Sequence, residues 1–273
     1  MSKSRGPNDR PAPVVAVDIG NTRLKLGLFQ PQAGGGPHAL PQPERTLDAT
    51  VDDLDAVAQW CRPWRVEELS WWVGSVQRAF TTRLLAWLRQ GRETQVTLLS
   101  CRDLDLQTAL PRPDMAGIDR LLAAVAANYL RPVNRDAVIV DLGTAVTVDY
   151  VRRDGVFAGG AILPGVAMSA RALHEFTDLL PLVPMAELQE PPPALGNDTI
   201  SAMRSGLFWG AVGAARELIA QMSAADEPPR VILTGGAAQS VADLLAPGAL
   251  YEPHLVLAGI ALTAQQRQPH PSE

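Results

Sequence analysis

Two short stretches carry the residue types that phosphate and cation chemistry needs. From Val14 to Phe29 the chain reads VVAVDIGNTRLKLGLF, and from Ala137 to Tyr150 it reads AVIVDLGTAVTVDY. In each, an apolar run reaches a carboxylate, Asp18 or Asp141, turns through Gly20 or Gly143, and resumes as an alternating strand. Asn21 and Thr22 follow the glycine in the first copy and Thr144 in the second. A carboxylate, a backbone that can approach a ligand closely and a hydroxyl together suit a phosphate and its cation. An Asp-x-Gly turn between apolar strands is also ordinary hairpin chemistry. The matched second copy argues for more, and predicts a duplicated fold with a nucleotide between its halves. Other phosphate loops fit poorly: neither a G-x-x-x-x-G-K-[ST] nor a G-x-G-x-x-G opening a helix is present, and a strand follows the glycine in both copies.

A third candidate lies at LPRPDMAGIDRLLAAVAANYL, from Leu110 to Leu130. Pro111 and Pro113 hold the approach extended, Gly117 allows a turn, and Asp119 opens a strong helical pattern. Asp119 reads either as an N-cap or as a base for a hydroxyl. Arg120 favours a functional reading, because a cation in a first helical turn opposes the helix dipole and calls for an anionic neighbour.

The elements that must position these residues are an α/β set. Leu69–Val76 and Gln95–Leu99 read as strands, Ala79–Arg89 as an amphipathic helix, and Val231–Gly236 as a buried strand ending in Gly235 and Gly236. From Leu47 the pattern is taken as helical, through Leu54, Val57 and Trp60 to Pro63. Phe157–Gly165 is a strand and loop, Ala167–Phe176 a helix, and a long helix runs from Ser201 through Met222 with Gly206, Gly210 and Gly213 along one side, which fits close helix packing. A last helix, Leu255–Gln266, is expected to close the second half. Trp71, Trp72 and Trp87 read as core or interface aromatics, and His174 as a surface or satisfied helix residue.

Of 273 residues, 47% are hydrophobic and 19% charged, which suits a globular protein with a sizeable core. A net charge of −5 with no long Lys/Arg block argues against a nucleic-acid partner. Cys61 and Cys101 are too few for a disulfide framework, so a reducing cytoplasm is the expected setting. Neither a signal peptide nor an apolar run of membrane-spanning length is present, so no membrane partner is expected. The expected organisation is a disordered tail at 1–13, halves at 14–130 and 131–265, and a loose tail at 266–273.

Taken in order, D-I-G-N-T at Asp18–Thr22, G-I-D-R at Gly117–Arg120 and D-L-G-T-A at Asp141–Ala145 resemble the type III pantothenate kinases, of the acetate and sugar kinase, Hsc70 and actin superfamily. GGAILPG at Gly159–Gly165, GNDT at Gly196–Thr199, LTGGAA from Leu233 and PHLVLAGIAL near the end continue the likeness, which spans Val14 to about Ala264. The resemblance implies two actin-like, ribonuclease H-like halves with ATP in the cleft between them, phosphorylation of the terminal hydroxyl of pantothenate, and a homodimer. It implies that Asp18, Ile19, Gly20, Asn21, Thr22, Arg23, Leu24 and Lys25 hold ATP phosphates, with Asp18 near Mg2+. Asp119 is implied as the proton acceptor, with Gly117, Ile118, Arg120 and Thr199 at the substrate. Asp141 is implied as the ligand of a monovalent cation, K+ or NH4+, with Thr144 on ATP and Gly235 and Gly236 beside the adenosine.

The segment before Gly117, TALPRPDMA, lacks the tyrosine that members of the family often carry there, so Leu110, Arg112 or another element must fill that space. A kinase of the same fold for another small hydroxylated substrate, or a non-catalytic regulatory factor, are the rival readings. The presence of Asp18, Asp119 and Asp141 favours catalysis.

Overall fold

The computed structural model describes residues 12–31, 39–90, 93–184, 190–223, 227–236 and 238–267. Most of both expected tails lies outside these residues. Pro13, however, accepts a backbone hydrogen bond from Ser70, and Gln266 and Arg267 still belong to the last helix. The chain divides into two units, one of residues 1–105, 112–130 and 254–273, the other of 106–111 and 131–253.

The first unit is built on a five-stranded sheet. β1 (Val14–Ile19) and β2 (Arg23–Phe29) form an antiparallel hairpin, β3 (Arg45–Thr50) adds antiparallel to β2, and β4 (Ser70–Ser75) and β5 (Gln95–Leu98) add parallel to β1, giving the order β3-β2-β1-β4-β5. On one face Val15, Val17, Leu24, Leu26, Trp71 and Val73 pack against α1 (Leu54–Cys61) and α2 (Arg78–Arg89). The expected helix from Leu47 begins only at Leu54. Leu47 sits in β3 opposite Leu26, because an edge strand with one buried face needs only alternate apolar residues, and Leu47 and Ala49 supply them.

The other face of this sheet carries α3 (Ile118–Leu130) and α7 (Leu255–Arg267). α7 is buried from Leu255 through Ala264, and a helix apolar all round must be covered on every side. It finds that cover in the first unit, against β1, β2 and α3, so it does not close the second half as expected. Contact is close: a Cβ on Gly259 would collide with the carbonyl oxygen of Leu122, and one on Gly74 would stand 2.7 Å from a Leu122 methyl. Gly74 is therefore explained by the seating of α3 on β4.

The second unit repeats the plan. β6 (Ala137–Leu142), β7 (Ala145–Val151) and β8 (Phe157–Pro164) form the antiparallel meander, and β9 (Arg230–Thr234) and β10 (Leu250–Tyr251) run parallel to β6, in the order β8-β7-β6-β9-β10. Each sheet thus has the ribonuclease H-like arrangement. Val138, Val140, Val146 and Val148 pack against α5 (Thr199–Met222) and α6 (Ala238–Leu245), and α4 (Val166–Glu175) rests on the start of α5 through Ala170, Met203 and Leu207. Gly206, Gly210 and Gly213 do not provide close packing within the chain. They face outward, with nothing within 4 Å of an added Cβ. No helix among the described residues is long and apolar enough to cross a membrane.

Candidate active site

In the first unit the β1–β2 turn is closed by the Gly20 N–H donating to the Arg23 carbonyl at 3.0 Å. Asn21 and Thr22 are exposed at its tip, whereas Ile19 and Leu24 are fully buried, so those two can meet a ligand only through backbone. Behind the tip a charged row crosses the sheet in register. Asp18 of β1 stands opposite Lys25 of β2, which stands opposite Asp48 of β3. Arg23 pairs with Asp48, Nη2 to Oδ1 2.7 Å, at an exposed position. Residues of opposite sign thus flank Lys25 across the strands at the end of the sheet where the turn lies.

α3 begins beside the same end of the sheet, with Ile118 against Gly74 and Gly117 near Val76. The Leu121 N–H donates to the Gly117 carbonyl, so Asp119 is the second helical residue and not the N-cap. Its Oδ1 accepts from the Arg120 N–H at 2.9 Å. A Cβ on Gly117 would strike that same oxygen, which explains the glycine. Burial pushes the Asp119 carboxyl above the usual carboxylate range, and the Arg120 N–H and guanidinium only partly oppose it. A carboxylate held in this way binds a proton more readily than a solvated one, as a general base requires.

In the second unit Asp141 of β6 faces Thr147 of β7 and lies beside Thr234 of β9. The turn Gly143–Thr144 is closed by the Gly143 N–H on the Ala145 carbonyl and braced by the Gly165 N–H on the Thr144 carbonyl, at 3.2 and 3.1 Å. Gly165 must be glycine, since its Cβ would run into the carbonyl oxygens of Gly143 and Thr144. Gly235, at φ +95°, presses on Asp141 and Leu142, whereas nothing approaches Gly236 within 4 Å. Thr199 is exposed at the first position of α5, behind the capping box of Asp198 and Ser201.

Among the described residues no three His, Cys, Asp or Glu side chains cluster as metal ligands. Asp18 and Asp141, each within its own unit, suit the mode in which a single carboxylate binds a cation that phosphate oxygens or backbone carbonyls complete. The residues before Gly117 are accounted for without an aromatic: Leu110 packs on Gly159, and exposed Arg112 is held by both oxygens of Asp114. A groove of about 430 Å3 lies at the C-terminal ends of α3 and α7, lined by Asp105, Asn128, Tyr129 and Gln265 among others, and includes none of the site residues. His174 is exposed, with Nδ1 2.8 Å from the Leu180 carbonyl, a local role. One titratable neighbour of Lys25 is not singled out by the sequence, although it stands inside PHLVLAGIAL. His254, at the start of α7, lies within electrostatic reach of Lys25 and Asp48, and only α7's place in the first unit could have revealed it.

The chain is 31% identical over 258 residues to a type III pantothenate kinase of Dehalococcoides mccartyi, covering 93% of this chain and 96% of the relative. It is 36% identical over 255 residues to one of Alkalilimnicola ehrlichii, covering 92% and 97%. Among solved structures, a Sinorhizobium meliloti protein named as a 2-dehydro-3-deoxygalactonokinase aligns at TM-score 0.57 and 13% identity, over 94% of this chain and 100% of that one, which shows a shared fold. The family model described as type III pantothenate kinase matches residues 14–221, more than half the chain, and with these relatives it shows that the chain belongs to the type III pantothenate kinase family.

Proposed function

We propose that the chain transfers the γ-phosphoryl group of ATP to the terminal hydroxyl of pantothenate, forming 4′-phosphopantothenate, the first step toward coenzyme A. The observation that carries the reading is Asp119: a half-buried carboxylate at the opening of α3, with raised proton affinity and one oxygen steadied by the Arg120 N–H. Phosphoryl transfer asks a protein for positioning and charge neutralisation more than for covalent chemistry. Asp119 accepts the hydroxyl proton as the oxygen–phosphorus bond forms. Arg120, Gly117, Ile118 and Thr199 hold pantothenate.

The turn Asp18–Lys25 receives the nucleotide phosphates through its backbone, the exposed Asn21 and Thr22, and the Lys25 ammonium, with Asp18 toward Mg2+. The Mg2+ supplies charge neutralisation on the phosphates. Asp141 holds a monovalent cation, K+ or NH4+, Thr144 contacts ATP, and Gly235 and Gly236 border the adenosine. The working compartment is the cytoplasm, in keeping with two free cysteines, Cys61 and Cys101.

We further propose a homodimer. Phe176 and Leu179 are 85% and 87% exposed in the single chain, with Leu182 and Leu195 also outward, and exposed apolar side chains of this size are of the kind that a second subunit covers.

The test is a coupled ADP-release assay with ATP, Mg2+ and pantothenate, with and without K+ or NH4+. Turnover that requires pantothenate and the monovalent cation is the expected result. ATP binding without turnover on pantothenate, but with turnover on another small alcohol, would overturn the substrate assignment.

A further inference from the structure

His254 is the residue whose position the proposed roles leave unused. A Cβ on Gly27 of β2 would lie 3.3 Å from a Leu257 methyl, which fixes α7 over β2. Two residues back along the strand, on the same face, is Lys25, and three residues back along α7 is His254. The strand step runs toward the β1–β2 turn, and the imidazole comes within electrostatic reach of the Lys25 ammonium. The His254 carbonyl accepts from the Ala258 N–H at 2.8 Å, so its backbone is anchored as the first turn of the helix.

The charged groups acting on the ring are Lys25 from β2 and Asp48 from β3, and Asp48 is itself engaged by Arg23. Burial lowers the imidazole's proton affinity, and Lys25 lowers it further, against a smaller opposing pull from Asp48. In the free protein the ring is therefore harder to protonate than a solvated imidazole. Each of these costs is electrostatic, and a polyphosphate on Lys25 reverses the largest charge contribution among them.

We propose that His254 is a phosphate-binding residue of the nucleotide site, taking up one proton from the solvent as phosphates settle on Lys25 and holding them as the imidazolium. This rests on the reading of Asp18–Lys25 as the phosphate loop. By linkage, a group that gains a proton on binding makes the ligand bind more tightly as pH falls.

The test is isothermal titration of the full chain with a non-hydrolysable ATP analogue at saturating Mg2+, in two buffers of different ionisation enthalpy, between pH 6 and 8. Affinity should rise about three- to tenfold from pH 8 to pH 6, with net proton uptake that disappears in His254→Gln. A second readout needs no variant to fold: the His254 ring resonances of the wild-type protein should titrate at higher pH with the analogue than without it. Equal proton uptake in wild type and His254→Gln, or an unmoved ring titration in the presence of bound analogue, would overturn the proposal and leave the kinase reading intact. Failure of the analogue to bind at any pH would overturn both.

Discussion

Gly235 and Asp141 are in direct contact: with φ at +95°, Gly235 turns its Cα so closely on the carboxylate that an added Cβ would stand 2.5 Å from Asp141 Oδ1 and 2.7 Å from the Leu142 backbone. The glycine at the end of β9 thus shapes the end of β6. Gly235→Ala should displace the Asp141 carboxylate, and the positive φ adds strain of about 1–3 kcal/mol. The measurable outcome is a loss of K+ or NH4+ activation, with at least about tenfold more cation needed for half-maximal rate. Gly236→Ala, with open space around it, should stay within about twofold of wild type. Equal behaviour of the two variants would detach Gly235 from Asp141's role.

Asp119 sets stability against activity. Its folded-state proton affinity is raised by burial. A group of this kind contributes stability below its unfolded pKa, and loses it as pH rises through its folded pKa, so at neutral pH the ionised carboxylate is a liability. Asp119→Asn keeps the oxygen that accepts from the Arg120 N–H and removes the charge. It should raise Tm at pH 7 by a few degrees, on the scale of about 2–4 °C per kcal/mol for a chain of this size, while kcat falls by about a hundredfold or more. A variant that keeps full activity removes Asp119 from the role of base, and one with lowered Tm contradicts the electrostatic account.

Much of this frame is legible in the residues. The two hairpins announce themselves because an apolar run, a carboxylate, a glycine and an alternating strand fall in the same order twice, and the structure pairs Asp18 with Lys25 and Asp141 with Thr147 as that order requires. β3 was not legible, since RTLDAT buries little more than Leu47 and Ala49, too short an alternation to outweigh the helical pattern beside it. Nor was the place of α7. Order along the chain suggests that a last helix closes the last half, yet the fit of Gly259 on Leu122 and Leu257 on Gly27 is decided in three dimensions. His254 followed from that placement and stayed hidden with it. Gly206, Gly210 and Gly213 show the converse, a pattern that reads as close packing and meets nothing within the chain.

Asp136 anchors the end of the second sheet remote from its turn. Its carboxylate accepts from the Arg153 N–H at 2.6 Å and from Arg153 Nη2 at 3.1 Å, with the Tyr150 hydroxyl also bonded to it. Burial alone would raise its pKa, but these donors outweigh burial and hold the carboxyl below its ordinary range. A group of this kind contributes stability above its unfolded pKa and loses it as pH falls through the folded one. Asp136→Asn should cost about 1–2 kcal/mol at pH 7, discounted because the Arg153 side chain is half exposed. The difference between variant and wild type should shrink below about pH 4, as read by urea unfolding across pH. A difference constant with pH would assign the loss to packing.

The exposed apolar side chains just beyond α4 give the proposed dimer a test that separates association from folding. Phe176 and Leu179 lie just beyond the C-terminal end of α4, where the His174 ring and the Thr177 hydroxyl tie the turn to local carbonyls without help from either side chain. The small core beneath them is made by Ala170, Val183, Met203 and Leu207. Replacing both outward residues, Phe176→Asp with Leu179→Asp, should leave the unfolding transition of the single chain within about 0.5 kcal/mol. Two charges buried unpaired in an interface cost far more than an apolar contact contributes, so the same variant should sediment as a monomer where wild type sediments as a dimer. Persistence of the dimer in the double variant would move the interface to another face. The outward glycines of α5 would then be next to probe, with Gly210→Ala read by the same sedimentation measurement.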